Sequence, residues 1–450
     1  MTSSSSRWYN DLSAYLDRRM LVILVLGFSS GLPYALSFIT LSVWFREVGV
    51  SRGEIGLFSL VGLPYALKLL WAPFIDRVPV PWLTAALGQR RSWALVAQLG
   101  LMVSLVWLGS LDPSRQLGLM AMAALVVVFM AASQDIVVDA YRIEILEDDE
   151  QATGGAMTQY GYRVGMLTSG FGALFLSDRM AWSWVYVVEA GFLLIGMATV
   201  LRISEPDSSS RDRAFAARQG ERSVGLGAAW EWMKASYLPP FVDFLRRKFW
   251  LPMLIFIVLY RFPDSFLAVM ANVFYKDLGF SNTEIASVSK AFGLAATLIG
   301  IFLGGIVVHR WGILRGLLVC GVVQMLSNLM YIAMAQAGDS LPIFAATIAI
   351  ENLSSGMAGT AFIAYLSSLC SPGLAGTQYA MLSAIGLLPR NSLSAFSGFL
   401  ADGLTGAYGE AAGWTWFFIA STAMGLPAVL MAVWFLGRGG AEGRPAQDSC

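Results

Sequence analysis

The sequence predicts an all-α membrane protein, a bundle of 12 transmembrane helices in two pseudosymmetric six-helix halves. Three observations predict it. Of 450 residues, 56% are hydrophobic and only 13% are charged, about half the ~25% charge of a soluble domain. Apolar windows of roughly 20 residues, enough to cross a bilayer core of about 30 Å, recur along almost the whole chain. A segment of the first half also returns in the second: "VWFREVGVSRGEI" (Val43–Ile55) matches "VFYKDLGFSNTEI" (Val273–Ile285) at a constant offset of 230.

Taken in order, residues 1–19 ("MTSSSSRWYNDLSAYLDRR") are too long and too charged to begin a typical signal peptide, and no Ala-x-Ala site follows the first apolar run. They read as a cytoplasmic tail. The first half, 20–203, holds spans at about 20–42, 54–76, 92–111, 117–146, 154–177 and 182–203. A polar linker, 204–248, follows ("SEPDSSSRDRAFAARQGERS"), and its later part, "AAWEWMKASYLPPFVDFLRRK", is amphipathic and basic. That pattern predicts a helix lying on the membrane surface. The second half, 249–436, holds spans at about 249–274, 283–308, 313–336, 341–370, 376–401 and 412–436, and 437–450 forms a second cytoplasmic tail.

The repeat extends beyond one segment. Pro33 maps to Pro263 at the offset of 230, and Ala140-Tyr141 and Ala156-Met157 map to Ala364-Tyr365 and Ala380-Met381 at 224. Repeats in the same orientation imply halves related by an axis along the membrane normal. With the N-terminus inside, cytoplasmic tails, loops and helix ends carry about 20 of the 30 basic residues and outer loops about five, which sets both termini in the cytoplasm. Pro33, Pro64 and Pro263 are expected to bend their helices. Gly161-x-x-x-Gly165 and Gly300-x-x-x-Gly304 are small-residue faces for close helix packing.

Composition also excludes. Lys plus Arg and Asp plus Glu both number 30, so no electrostatic case exists for nucleic acid. The three cysteines (Cys320, Cys370, Cys450) have neither a closed disulfide set nor metal-ligand spacing, and one histidine, His309, leaves little for catalysis or metal binding. No metal, no cofactor and no enzyme activity is expected.

The informative residues are charges inside the spans: Lys68, Arg163, Arg261, Lys290 and Arg390 against Asp135, Asp139, Glu189, Asp264 and Glu351. Each costs about 2.5–3.5 kcal/mol at a helix centre, so balanced numbers imply pairing around an internal cavity. In "ASQDIVVDAYR", Asp135, Asp139 and Arg142 are spaced i, i+4, i+7 and share one face, which must look into a polar interior. At 1.5 Å per residue, Asp135 lies about 16 Å from Leu146 and Arg163 about 14 Å from Gly154, near the midplane of consecutive helices. A carboxylate there can gain and lose a proton, or it can form a permanent ion pair; both roles stay open for Asp135 and Asp139. Tyr34, Tyr160, Tyr162, Tyr260, Phe262 and Tyr365 offer rings that pack or stack.

Between spans two and three stands "APFIDRVPVPWLTAALGQRRSW", with Asp76-Arg77 ending one helix and Gly88, Arg90 and Arg91 preceding the next. It resembles the inner-loop signature of the major facilitator superfamily, stretched by a longer loop. That resemblance implies an Asp held near a helix N-terminus of the other half, whose dipole favours an anion, by contacts that break during the cycle. Asp76, Arg77, Arg90, Arg91 and Arg142 are the candidate gate. Simple positive-inside anchoring is the alternative. His309 stands where the second half would carry the acid.

A narrower resemblance follows from "GFSSGLPYALS", "IGLFSLVGLPYALKLLWAPFIDR", "SQDIVVDA", "GYRVGMLTSG", "ENLSSGMAGTAF" and "GTQYAMLSA". Together these blocks resemble the AmpG family of muropeptide permeases of Gram-negative inner membranes. The resemblance implies proton-coupled import of N-acetylglucosaminyl-anhydro-N-acetylmuramyl peptides for cell-wall recycling, a route that can also feed β-lactamase induction. It carries the family's blocks onto Ser133-Gln134-Asp135, Gly161-Tyr162-Arg163, Lys68 and Glu351-Asn352, and matches only loosely after Ser383. The expected partners are an anhydro-muropeptide, protons and the lipid bilayer, with a monomer as the transport unit. Arg163, Lys68 and Arg261 suit peptide carboxylates, while Gln134, Asn352 and Gln378 suit hydroxyl and acetamido groups. Asp135, Asp139 and Glu351 are the coupling candidates, and Tyr162 a binding candidate. Rivals are a transporter of another ligand such as acetyl-coenzyme A, a muropeptide sensor, and a membrane enzyme.

Overall fold

The computed structural model describes residues 15–50, 58–147, 149–206, 238–371, 374–394 and 396–438, and their regular structure is entirely helical. Most of the linker (207–237), including the first part of its amphipathic stretch, lies outside the described residues, as do 1–14 and 439–450. The side chains of Lys290 and Arg390 are likewise not described.

Helix α1 is Arg18–Ala35, capped at its start by the Asp17 carboxylate, which accepts from the Arg19 N–H. Pro33 sits inside it, and the chain passes through a π turn, Leu36–Thr40, before resuming as Leu41–Glu47. A proline removes an amide donor and crowds the preceding turn, and the widened π turn follows directly. Next, α2 is built in pieces, Leu63–Leu67 and Ala72–Arg77, joined by the 3-10 turn Lys68–Leu70. Pro64 and Pro73 each open a piece, where a missing N–H costs nothing. The first half continues with α3 (Gln89–Ser110), α4 (Leu117–Ile145), α5 (Gln151–Leu167, extended by the π turn Thr168–Gly172) and α6 (Trp182–Arg202). The second contains α7 (Trp250–Asp277), α8 (Gly293–Trp311), α9 (Ile313–Ser327), α10 (Leu341–Ser368), α11 (Ala375–Ser394) and α12 (Glu410–Gly437).

Among the described residues, nine helices are long and apolar enough to cross a membrane. The three expected spans not among them are 54–76, 154–177 and 376–401, and each has a local cause. In α2 the prolines and Lys68 divide the helix. α5 is continuous but polar in its first turns ("QATGGAMTQYGYR"), and α11 stops at Ser394 before a new helix, Ser397–Tyr408.

The repeat is present in the backbone. Gly49 (φ +85°) and Gly279 (φ +96°) occupy the same turn at the offset of 230. Both turns are closed alike, by the Val50 N–H on Phe45 O (2.9 Å) and the Phe280 N–H on Tyr275 O (3.2 Å). Only a residue without Cβ enters that region freely, so the glycine survives in both copies. Gly88 and Gly312, 224 residues apart, cap α3 and α9 with φ of +88° and +79°.

The described residues form two compact units. The first draws on Met1–Glu147, Met157–Val242 and Cys370–Met381, the second on Asp148–Ala156, Asp243–Leu369 and Leu382–Cys450. Within the first, α3 packs on α4 and α1 lies against α4 and α6. Leu101, Leu105, Met120, Val127, Val185 and Leu193 fill one core there. The closest approach is α1 to α5. A Cβ on Gly27 or Gly31 would collide with the Thr158 or Tyr162 backbone, and one on Gly161 or Gly165 with the Leu24 or Phe28 carbonyl. In the second unit α8 and α10 repeat this contact through Gly300, Gly304 and Gly356, beside a core rich in rings: Phe274, Tyr275, Tyr331, Phe344, Trp414, Phe417 and Phe418.

Candidate functional site

Two polar constellations occupy the first unit. One is ionic and sits at the start of α3. Arg90 is 1% exposed yet fully paired: its Nη1 donates to Asp76 Oδ1 (2.5 Å), and Nε and Nη2 donate to Glu144 Oε2 and Oε1 (3.0 and 2.6 Å). The bidentate fork to Glu144 exploits the planar guanidinium. The other Asp76 oxygen accepts from the Thr377 N–H (2.8 Å) and hydroxyl (2.5 Å), in the first turn of α11. A helix N-terminus offers free N–H groups and positive potential. Gly376 permits the approach, because a Cβ there would press on Asp76 Oδ1.

Glu205, just past α6, completes the group by accepting the Arg90 and Arg91 N–H groups at 2.8 and 3.1 Å. It thereby caps an α3 whose own N-cap, Gly88, has no side chain. Arg91 turns the other way and donates to the Val200 and Leu201 carbonyls (2.9 and 2.8 Å), closing the end of α6. Arg142 is fully buried, 3.5 Å from Asp139 Oδ1, with its guanidinium 5.4 Å from the Tyr379 ring centre. Arg77 is half-buried.

The second constellation is aimed at the interior. Asp135 and Asp139 are half-buried on α4, while Ser133, Gln134, Ile136, Val137 and Val138 around them are buried. Asp135 faces Lys68, Asp139 and Ser30, and Tyr65 and Tyr162 face Asp135 in turn. Tyr34 stands 6.2 Å, centre to centre, from both Tyr65 and Tyr162, so three rings line one edge. Lys68 and Arg163 are half-buried, and their side chains make no hydrogen bond or salt bridge among the described residues. A cation, a carboxylate and three phenol rings can bind an anionic, hydroxyl-bearing ligand. The carboxylate can also exchange a proton.

The second unit carries a sparser counterpart. Arg261 pairs with Asp264 one turn away (3.0 Å) and donates to the Ser355 carbonyl and hydroxyl, both at 3.4 Å. Glu351, half-buried on α10, faces both members of that pair.

The sequence-selected amides bond to the protein itself. Gln134 is fully buried and donates to Ser30 Oγ (3.2 Å). Asn352 donates to the Ile348 carbonyl (3.0 Å) and accepts from Thr297 Oγ1 (3.0 Å). Gln378 is fully buried, accepting from the Ser371 N–H (2.6 Å) and donating to the Pro240 carbonyl (3.3 Å). Asn352 and Gln378 thus spend their polar atoms on the protein's own chain and hydroxyls. Sequence reasoning missed Tyr65, Ser30, Glu205 and Thr377. Tyr65 alone carried a signal, standing at i−3 from Lys68. Among the described residues, no group of three or more His, Cys, Asp or Glu is placed to hold a metal.

The Major Facilitator Superfamily model matches residues 23–391. The chain belongs to that superfamily. Within it, the chain is 35% identical over 423 residues to the Anhydromuropeptide permease of Escherichia coli (strain K12), covering 93% of this chain and 80% of that protein. It is 34% identical over 409 residues to the AmpG 3 protein of Rickettsia prowazekii (strain Madrid E), covering 91% and 93%. The fold agrees with solved superfamily members. A proton:xylose symporter, XylE, bound to 6-bromo-6-deoxy-D-glucose superposes with a TM-score of 0.68 at 13% identity, covering 94% of this chain and 96% of that one. A bacterial homologue of the iron transporter ferroportin, outward-facing, gives 0.64 at 13% identity, covering 94% and 100%. The curated relatives are named permeases and transporters, so this superfamily member is a membrane transporter and not an enzyme.

Proposed function

We propose that the chain is a proton-coupled transporter that carries anhydro-muropeptides from periplasm to cytoplasm, as a monomer in the bacterial inner membrane with both termini cytoplasmic. The observation that carries this reading is the 35% identity to a protein named Anhydromuropeptide permease along 93% of the chain. The site chemistry supports it. Such a ligand is anionic at its peptide carboxylates and hydroxyl-rich along its sugars. Lys68 and Arg163, whose side chains make no hydrogen bond or salt bridge among the described residues, suit the carboxylates, Arg by its fork and Lys as a point charge. The faces of Tyr34, Tyr65 and Tyr162 suit sugar rings.

Asp135 is the coupling acid in this reading. Protonation removes the attraction between Asp135 and Lys68 and leaves the lysine to the substrate. Deprotonation restores the internal pair and releases the substrate. A proton shifts the cycle only through its differential affinity for the two conformations. The Arg90–Asp76–Thr377 group is the latch: it holds α11's first turn in one state and opens in the other, as alternating access requires.

Uptake of labelled anhydro-disaccharide peptide into proteoliposomes under an inward proton gradient tests both parts, with wild type beside Asp135→Asn. Gradient-driven uptake by wild type, reduced at least tenfold in the variant with binding retained, is expected. Unchanged uptake in the variant returns Asp135 to a structural role. No uptake by folded wild type overturns the substrate.

A further inference from the structure

Away from the charged constellations, the first unit has a crevice of about 440 Å³ formed by α5, its π turn, the short helix Ala173–Ser177 and α6. Its lining is apolar (Leu167, Phe171, Phe175, Phe192) apart from Thr168 and Glu189. Thr168 spends its hydroxyl on the Val164 carbonyl (2.9 Å). Glu189 is 0% exposed, and neither carboxyl oxygen has a hydrogen-bond partner among the described residues. The neighbouring polar groups are occupied. Tyr186 donates to the Leu36 carbonyl (3.0 Å), and Arg179 donates to the Phe175 carbonyl (2.8 Å) with its guanidinium 3.7 Å from the Phe175 ring centre. Gly172 lets the crevice wall approach the buried carboxyl closely, since a Cβ there would stand 3.3 Å from Oε1.

A buried carboxyl whose oxygens have no hydrogen-bond partner among the described residues, lining an otherwise apolar crevice, is a group that a hydrogen-bond donor would satisfy. The mouth is wide and greasy, with Phe171 73% and Phe175 49% exposed, on a surface that faces lipid in a membrane helix. Charge complementarity demands a cation with N–H donors. The phenyl rings of Phe171 and Phe192 suit a cation and an apolar tail alike. Glu189 is seven residues from Trp182, about 10 Å along α6, too deep for the ammonium of a bilayer phospholipid held at the headgroup level. The volume sits at the small end of ligand pockets, ~300–1,000 Å³.

We propose that this crevice is a binding site, entered from the bilayer, for single-chain lipophilic ammonium compounds, with the Glu189 carboxylate pairing the ammonium. The site is separate from the transport reading and stands or falls without it. The probe is radiolabelled dodecylamine on the full chain in phosphatidylcholine nanodiscs, with empty nanodiscs subtracted. Wild type should show a saturable one-to-one component that unlabelled dodecylamine displaces and dodecanol does not. Glu189→Gln, nearly isosteric, should weaken it at least tenfold. Leu167→Trp, which keeps the carboxyl and fills the mouth, should weaken it comparably and covers the case in which the first variant fails to fold. Binding no greater than in empty nanodiscs, equal binding by a folded Glu189→Gln or Leu167→Trp, or displacement by dodecanol overturns the proposal. Loss of the component in phosphatidylethanolamine nanodiscs would give the crevice to the bilayer's own lipid and overturn the single-chain assignment.

Discussion

At the residue scale, the decisive arrangement is Arg90 between Asp76 and Glu144, with side chains at most 7% exposed. Burying a charge is costly, and removing one partner of a buried pair commonly costs about 3–5 kcal/mol because the rest stays buried and unpaired. Arg90→Leu strands two carboxylates and is expected to lower the detergent-solubilised melting temperature sharply. Thr377→Val deletes one hydroxyl donor but keeps the backbone N–H, so a loss of about 1 kcal/mol is expected. Thermal melts followed by size-exclusion chromatography separate the two, and equal melts would remove the ion group from the account of stability. Outside the membrane, the Ser114 hydroxyl (2.6 Å) and N–H (2.9 Å) hold the Asp112 carboxyl below its ordinary range. A depressed acid contributes stability above its unfolded pKa of about 3.9 and loses it as pH falls through the lower folded value. Ser114→Ala should therefore raise the Asp112 titration midpoint, read by carboxyl NMR, and the two proteins should converge at low pH. An unmoved midpoint would discard Ser114 as the cause.

At the element scale, the glycine seam of α1 and α5 sets what the helices tolerate. Gly161→Ala drives a Cβ into the Leu24 carbonyl and the Phe28 amide, backbone atoms that cannot rotate away. Yield of monodisperse protein should fall severely. Gly403→Ala, within the helix Ser397–Tyr408 and open on all sides, should be neutral or stabilising; the helix gains by about 0.8–1.0 kcal/mol when Gly becomes Ala. Similar yields for the two would refute the seam. This seam was legible in the sequence because glycines spaced by four report one helix face. The interruptions were less legible. Pro33, Pro64 and Pro73 announced the interruptions of α1 and α2, but no proline precedes the π turn after Leu167, and hydropathy does not encode it. The amides' surroundings were not legible for a related reason: the backbone and hydroxyl partners of Gln378 and Asn352 lie far away in sequence or depend on the local helix geometry. Charges were more informative, since lipid forbids them outside a polar interior. Asp135 with Lys68 therefore emerged from sequence, whereas Tyr65, one phenol among many aromatics, did not.

At the scale of the whole molecule, the internal repeat governs. Two glycines 230 residues apart make the same left-handed turn, two more 224 apart start equivalent helices, and backbone-to-backbone helix pairs recur in each unit. The chemistry did not repeat: Asp76 has its ion group in the first unit, while His309 lies 3.4 Å from the Asp149 carbonyl in the second. Residues 370–381 also belong to the first unit, and Thr377 supplies two of the donors on Asp76. An N-terminal fragment ending at residue 206 should therefore be extracted with poorer stability than the same fragment co-expressed with residues 238–450. Matching protease resistance in the two preparations would count against this dependence. The same feature bears on biosynthesis. Asp76 leaves the ribosome about 300 residues before Thr377, so for most of translation its second oxygen must be answered by water or by insertion machinery. The nascent first half thus lacks these two donors until late in synthesis, and a truncating stop codon upstream of Thr377 leaves a chain with that Asp76 oxygen unanswered by its own protein.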